Sequence, residues 1–438
     1  MNDEKLILGL GISSISCANY FDGLNIKYKI FDSRDGSNID QSYISAIDKR
    51  LLYLSHYNDS LFDQIDEVIV SPGFDKNHKI FSELNSRSLP QLTDIDIFKR
   101  DCNIPIISIT GTNGKTTIVS MLEHVMNNCN VRTIACGNNG IPVLNIDPNN
   151  YEYIILELSS YQLDYMNNHN SFISLLANID HDHLERHGTL DNYISSKLKI
   201  FNSCDNSIVN KSFMESFPGK IDMINMLAYG LLQGKIILNN NIIEDVSYNS
   251  SGLYYKNSSF FKHRGIHNLE NILAVCSISL TLNIDLLQCL NALKSYKYLP
   301  HRIELIKEAN NINWYNDSKS TNTASTIAAL KYLDSNIILI LGGAKKEMNY
   351  NFLNDLINKK VRLLVLLGEN KNYIKRQLSI ETKIIEVGTI DDAVITCIKY
   401  ASKNYDILFS PASPSFDMYK NFEERGIAFK QAVDKYVK

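Results

Sequence analysis

The residues best suited to chemistry fall in one short run, Ser108-Ile109-Thr110-Gly111-Thr112-Asn113-Gly114-Lys115-Thr116-Thr117. A β-branched apolar segment precedes it. Beyond it, Ile118, Met121, Leu122, Val125 and Met126 fall on one helical face. A strand, a glycine-containing turn, Gly-Lys-Thr and a helix together make a phosphate-binding arrangement. The glycines let backbone N–H groups close around a polyphosphate, and the helix N-terminus adds partial positive charge. In that arrangement Lys115 reaches the β- and γ-phosphates and the Thr116 hydroxyl holds Mg²⁺. The turn departs from the general pattern in one place: Ile109 stands where the first glycine belongs, and the extra glycine is Gly111.

A phosphate-bound metal calls for a carboxylate on a neighbouring strand. Glu157 ends the apolar run Ile154-Ile155-Leu156, where an unpaired carboxylate is costly to bury. Asp180, His181, Asp182, His183 and His187 crowd the end of the next apolar run. These could ligate a divalent cation or form a solvated polar loop. Gly9-x-Gly11-x-x-Ser14 comes after the first apolar run and lacks the third glycine of the dinucleotide fingerprint, so by itself it is weak support for NAD.

The elements that must position these groups read as three blocks. Apolar runs at Lys5 to Leu10, Lys27 to Phe31 and Glu67 to Val70 alternate with mixed stretches, as parallel strands with crossover helices do. The second block has buried strands at Ile104 to Ile109, Tyr153 to Leu158 and Phe172 to Ile179. After them come a β-rich stretch at about 220–262 and a helix from Asn268 to about Leu280. The third block has runs at Asn336 to Leu341, Val361 to Leu367, Lys383 to Val387 and Asp406 to Phe409. The expected fold class is α/β with three domains. Residues 1–93 form a Rossmann-like domain, 94–298 a P-loop ATPase-like parallel sheet with an added β-rich segment, and 299–438 a second Rossmann-like domain.

Composition excludes several classes. The chain has 438 residues, 44% hydrophobic and 21% charged, which is globular and not disordered. Forty-four Lys and Arg against 48 Asp and Glu give a net charge of −4, so no nucleic-acid polymer is expected as partner. No apolar stretch is long enough to insert in a membrane, and the start Met1-Asn2-Asp3-Glu4-Lys5 is unlike a signal peptide. The eight cysteines form no C-x-x-C pair, which fits a reduced cytoplasm.

Taken in order, several motifs carry a family resemblance: Gly111-Thr112-Asn113-Gly114-Lys115-Thr116, Glu157-Leu158-Ser159-Ser160, Asn178-Ile179-x-x-Asp182-His183-Leu184, Tyr193-x-x-x-Lys197, His267-Asn268-x-x-Asn271 and Pro300-His301-Arg302. The chain resembles the Mur ligase family over nearly its whole length. Asn316-Asp317-Ser318-Lys319-Ser320-Thr321-Asn322 and the run from Ser410 to Gly426 are similar to the members that add D-glutamate to UDP-N-acetylmuramoyl-L-alanine.

That resemblance implies an ATP-dependent amide ligase of peptidoglycan precursor synthesis, acting through an acyl phosphate on small-molecule substrates, as a cytoplasmic monomer. Lys115, Glu157, His183 and Lys197 would be catalytic. ATP would be held by Gly111, Thr112, Asn113, Gly114, Lys115, Thr116, Thr117, Asn271, Arg302 and Asp317, the last on the ribose hydroxyls. Two Mg²⁺ ions would be held by Thr116, Glu157, His183 and a CO₂-derived carbamate on Lys197. Lys199 lies nearby, but Lys197 has the required spacing from Tyr193. Gly11, Ile12, Ser13, Asp32, Ser33, Arg34, Gly73 and Asn138 would bind the UDP-linked substrate. Lys319, Thr321, Lys346, Ser415 and Phe422 would bind D-glutamate, with Lys345 as the alternative to Lys346. An NAD-dependent oxidoreductase, a sister amino-acid ligase and a non-catalytic nucleotide switch are the competing readings.

Overall fold

The structure is a computed structural model and describes residues 4–221, 226–232, 235–249, 252–256, 258–261, 266–334, 336–346 and 348–437. Parts of the β-rich stretch expected at 220–262 lie outside them. The chain divides into two compact units. One comprises Met1–Ile179, His183–Glu244 and Ile272–Lys294, and the other Asp180–Asp182, Asp245–Asn271 and Ser295–Lys438.

The first unit opens with strands β1 (Glu4–Leu8), β2 (Tyr28–Asp32), β3 (Leu52–Leu54), β4 (Ile65–Val70) and β5 (Gln91–Leu92). They form a parallel sheet in the order β3-β2-β1-β4-β5. Alternate residues serve opposite faces. Leu6, Leu8, Val68 and Val70 pack in one cluster, and Ile7, Ile30 and Ile69 in another. Burial on both faces is why these strands read as continuous apolar runs. Strand order reverses between β1 and β4, and open α/β sheets bind ligands at the carboxyl edge of such a point.

The second sheet contains β6 (Ile106–Thr110), β7 (Thr133–Gly137), β8 (Tyr153–Glu157), β9 (Ser171–Leu176), β10 (Cys204–Asn210), β11 (Met226–Leu232), β12 (Lys235–Leu238) and β13 (Asn241–Ile243). Its order is β13-β12-β11-β10-β9-β6-β8-β7. Strands β6 to β11 run parallel, and β12 and β13 add an antiparallel edge. β6 pairs with β8 on one side and β9 on the other, so the segments leaving these three strands meet at one edge of the sheet.

The second unit holds the antiparallel strands β14 (Val246–Asn249), β15 (Gly252–Tyr255) and β16 (Ser258–Phe261). Its main sheet has β17 (Glu304–Ala309), β18 (Ile312–Asn316), β19 (Ile337–Gly342), β20 (Val361–Leu367), β21 (Lys383–Glu386) and β22 (Asp406–Phe409) in the order β17-β18-β22-β19-β20-β21. All pairs are parallel except the β17–β18 hairpin at the edge. The expected three-domain α/β architecture is what the chain forms.

Candidate active site

The turn after β6 is braced from the segment after β9. Thr112 donates its N–H to the Asn178 carbonyl at 3.0 Å, and Asn113 donates to Asn178 Oδ1 at 2.8 Å. Asn178 Nδ2 returns a bond to the Asn113 carbonyl at 3.0 Å. A Cβ on Gly111 would stand 3.0 Å from Ala177 Cβ and 3.3 Å from the Asn178 nitrogen, so this close approach needs glycine. Gly114 has φ of +81° and caps the helix Lys115–Asn128, so here too glycine suits the backbone. Lys115 Nζ donates to the carbonyls of Gly111 and Thr112, both at 2.9 Å. Thr116 stands in the first turn of that helix, and Thr117 is buried behind it.

Glu157 ends β8 beside this turn and is 1% exposed. Its Oε1 accepts from Asn138 Nδ2 at 2.9 Å, and its carbonyl accepts the Asn138 N–H at 3.0 Å. Glu157 Oε2 is buried with no hydrogen-bond partner among the described residues. An unsatisfied carboxylate oxygen next to a phosphate-binding turn suits a cation. Gly137, with φ of +94°, lets Asn138 come in close: a Cβ there would lie 2.5 Å from the Glu157 carbonyl oxygen.

Lys197, on the helix Leu190–Leu198, is 1% exposed. Its Nζ donates to the Gly111 carbonyl at 2.7 Å and to Thr110 Oγ1 at 3.3 Å. The Tyr193 ring lies 5.0 Å below it, and the Tyr193 hydroxyl pairs with Thr112 Oγ1 at 3.0 Å. His183 Nδ1 pairs with the Tyr161 hydroxyl at 3.0 Å. The other donors of that polar run disperse. His187 turns to Ser160 Oγ at 3.1 Å, and Asp182 accepts from Asn322 and Lys346. Among the described residues no three His, Cys, Asp or Glu side chains gather as a metal cluster. His183 and His187 both pack against the Tyr161 and Tyr193 rings, and His183 is the one whose ring nitrogen pairs with the Tyr161 hydroxyl.

At the switch edge of the first sheet, Asp32 is a hub. Its Oδ2 accepts the Leu10 N–H at 2.6 Å, and Oδ1 accepts the Arg34 N–H at 2.8 Å. Arg34 Nε and Nη2 also donate to the carboxylate. Burial opposes the charge, yet the Arg34 side chain and the two backbone N–H groups outweigh it and hold this carboxyl below its usual range. Gly11 caps the helix Ile12–Gly23, with Ile12 exposed and Ser13 bonded to the buried carboxylate of Asp94. Ser14 Oγ joins the Gly9 carbonyl to Ser71 Oγ, 2.7 Å from each, which ties this turn to the Ser71-Pro72-Gly73 turn after β4. Ser33 is half-buried between Asp32 and Arg34.

In the second unit, Lys319 Nζ lies 3.8 Å from the centre of the Phe422 ring. Ser415 is buried, Thr321 half-buried, and Lys346 Nζ is 3.1 Å from Asp182 Oδ1 while Lys345 is exposed. Arg425, absent from the expected set, organises this region. It is 1% exposed and donates to Ser318 Oγ, to the Ser318 carbonyl and to the carbonyls of Ser413 and Pro414 at 2.7–3.0 Å. Burial pushes its pKa down to about 10. Its only sequence signal was its place in the motif ending at Gly426. Asn271 and Asn268 are buried together, 3.4 Å apart.

Asp317, expected at the ribose, is bonded within its own unit. It is 4% exposed, Oδ1 accepts the Ile303 N–H at 3.1 Å, and Oδ2 accepts from Ser320 at 2.6 Å and Ser410 at 2.7 Å. Burial raises its pKa to about 6 against these bonds. Both oxygens therefore tie the turn carrying Arg302 to the ends of β18 and β22.

A Gly-Lys-Thr turn between a central strand and a helix, a buried carboxylate beside it and an α/β domain before and after in the chain are the arrangement that suits a nucleotide-dependent enzyme of multidomain type. Known proteins agree. The pattern described as Mur ligase MurD-like, N-terminal domain, matches residues 3–90; Mur ligase middle domain matches 109–279; and Mur ligase, glutamate ligase domain, matches 301–413. A UDP-N-acetylmuramoylalanine--D-glutamate ligase of Geotalea uraniireducens is 31% identical over 99% of this chain and 97% of its own. One of Buchnera aphidicola is 33% identical over 97% and 96%. The fold is shared with UDP-N-acetylmuramate-alanine ligase MurC of Thermotoga maritima, at TM-score 0.61, 17% identity and 99% coverage of both chains. It is also shared with MurF of that organism, at TM-score 0.59, 14% identity and coverage of 99% and 96%. The chain belongs to the Mur ligase family, whose members are ATP-dependent and form amide bonds.

Proposed function

We infer that this chain joins D-glutamate to UDP-N-acetylmuramoyl-L-alanine at the expense of ATP, in peptidoglycan precursor synthesis. The observation that carries this is the full-length match to relatives named for that reaction, across 97% of the length of the first. The substrate carboxylate attacks the γ-phosphate of ATP, giving an acyl phosphate and ADP. The amine of D-glutamate then displaces phosphate and forms the amide.

Three anions meet in this reaction, so neutralising charge governs its rate. Lys115 and the N-terminus of its helix would take the ATP phosphates. Thr116 and Glu157 would hold one Mg²⁺, and His183 with a carbamate on Lys197 would hold a second. Bound Mg²⁺ would screen the phosphates and polarise the group under attack. Asn138, which fixes Glu157, would also face the substrate. Gly11, Ser13, Asp32, Arg34 and Gly73 would hold UDP, with Asp32 fixed by its four donors. Lys319, Thr321, Ser415, Phe422 and Lys346 would receive D-glutamate. Arg302 and Asn271 would meet the nucleotide, and Asp317, which also holds the Arg302 turn through the Ile303 N–H, would meet the ribose hydroxyls. No helix among the described residues is long and apolar enough to cross a membrane. The eight cysteines are all free, consistent with the cytoplasmic placement in this reading.

Phosphate release with ATP, Mg²⁺ and UDP-N-acetylmuramoyl-L-alanine should depend on D-glutamate, and not on L-glutamate, L-alanine or meso-diaminopimelate. Release with another amino acid instead would reassign the third domain. Glu157→Gln gives a second test. It removes a charge whose Oε2 has no partner among the described residues, so the metal-free protein should melt higher. Its Mg²⁺ half-saturation for turnover should weaken ~10–100-fold or more. Unchanged Mg²⁺ dependence would detach Glu157 from the metal.

A further inference from the structure

Arg186 stands close to the proposed metal ligand His183. Its backbone N–H donates to the His183 carbonyl at 3.1 Å, which places it one short turn beyond that residue. Its guanidinium lies over the Tyr161 ring, 4.2 Å from the centroid, and 5.6 Å from that of Tyr165. Nη1 donates to the Phe74 carbonyl at 3.4 Å, one residue after Gly73. Nε and Nη2 are buried and have no hydrogen-bond partner among the described residues. Acids on neighbouring segments are committed elsewhere: Asp164 lies within 3.7 Å of His187 and 3.5 Å of Lys199, and Asp75 accepts the Asn77 N–H.

Buried donors are nearly always paired, and those of a cation are the costliest to leave unpaired. Stacking on Tyr161 fixes the plane of the guanidinium but does not satisfy N–H groups lying in that plane. Nε and Nη2 form one edge of the group, two parallel donors that suit a pair of oxygens. That edge stands between two landmarks. Phe74 comes directly after the Ser71-to-Gly73 turn at the nucleotide edge of the first sheet. Tyr161 holds His183 beside the phosphate-binding turn.

We propose that Arg186 is a substrate-binding residue whose Nε and Nη2 donate to oxygens on the acyl-sugar arm of the UDP-linked substrate, between the nucleotide and the reacting carboxylate. This rests on the ligase reading above. The test is calorimetric titration of the full chain and its R186Q and R186K variants with UDP-N-acetylmuramoyl-L-alanine and, separately, with UDP. Melting curves and the KM for ATP complete it. R186Q should weaken the full substrate ~10–100-fold, the value of a charged hydrogen bond. R186K should fall between, since a point charge lacks the fork. UDP affinity, KM for ATP and melting should stay close to wild type. Equal affinity of all three proteins for the full substrate would overturn the proposal. So would an equal loss with UDP, which would move the contact to the diphosphate, or a loss accompanied by a raised KM for ATP and a lowered melting point, which would make Arg186 a structural prop. Failure of the wild type to bind the full substrate would instead strike the ligase reading itself.

Discussion

Lys115→Ala should cut ATP-dependent phosphate release by ~10²–10³-fold or more while the protein stays folded. The lysine begins the helix Lys115–Asn128, whose buried face is made by Thr117, Ile118, Val119, Met121, Leu122, Val125 and Met126. Its side chain is not part of that packing. Its ammonium bonds the carbonyls of Gly111 and Thr112, a position from which it would turn to the phosphates. Losing two part-buried bonds to the carbonyls of the buried residues Gly111 and Thr112 shifts melting by several °C, since ~1 kcal/mol moves a domain of this size by about 2–4 °C. Losing the cation leaves the transferring phosphoryl group short of one neutralising charge in a water-poor site, where such charges count most. Lys115→Arg should not restore turnover, because a planar fork cannot occupy the path of a point charge. Melting and phosphate release measured on the same preparations check this. Turnover within a few-fold of wild type would remove the phosphate-binding assignment from this turn.

How much of this was legible in the sequence depends on the distance over which each feature is made. The strands Ile337–Gly342 and Val361–Leu367 stand within a residue of the expected runs, because a parallel strand buried on both faces has little choice but an apolar sequence. The same signal overran at β9. The run Phe172 to Ile179 reads as one strand, but the strand ends at Leu176, and beyond it the backbone bonds of Ala177 and Asn178 go to Thr110 and the turn that follows it. Ala177 and Asn178 are instead packed against the phosphate-binding turn. Apolar runs report burial more closely than they report where a regular strand ends.

The hairpin β17–β18 went unread for the opposite reason. Lys307, Glu308 and Asn313 break its strands, most of which are only half-buried. Its turn was visible: Asn310 and Asn311 have φ of +55° and +59°, the signature that an Asn pair favours in a two-residue hairpin. Gly111 to Thr117 could be read because the spacing itself makes the chemistry. Asn178 and Arg425 could not, because what each does depends on a partner far along the chain. Asn178 meets Asn113 from 65 residues away, and Arg425 meets Ser318 from 107.

Lys197→Ala tests the strangest part of the proposed site. A lysine 1% exposed, with Nζ on the Gly111 carbonyl and Thr110 Oγ1, has two explanations that predict opposite chemistry. As an ammonium it braces the turn against β6, and its worth is a positive charge and its donors. As a carbamate it is an anion with two acceptor oxygens, able to serve a second Mg²⁺ alongside His183. Either way the variant should lose ~10²–10³-fold in turnover, so the loss alone decides nothing. The cavity left behind does. If the working group is the carbamate, acetate or formate should restore part of the activity in the variant, and depleting CO₂ should slow the wild type. If the working group is the ammonium, small alkylamines should restore it and carboxylates should not. Lys199, whose Nζ lies 3.5 Å from Asp164 and whose side chain is 39% exposed, serves as control: Lys199→Ala should keep near-normal turnover. Rescue by amines alone would end the carbamate reading and leave the second metal without its anionic support; rescue by carboxylates alone would mean that the neutral-pH charge at this buried position is negative.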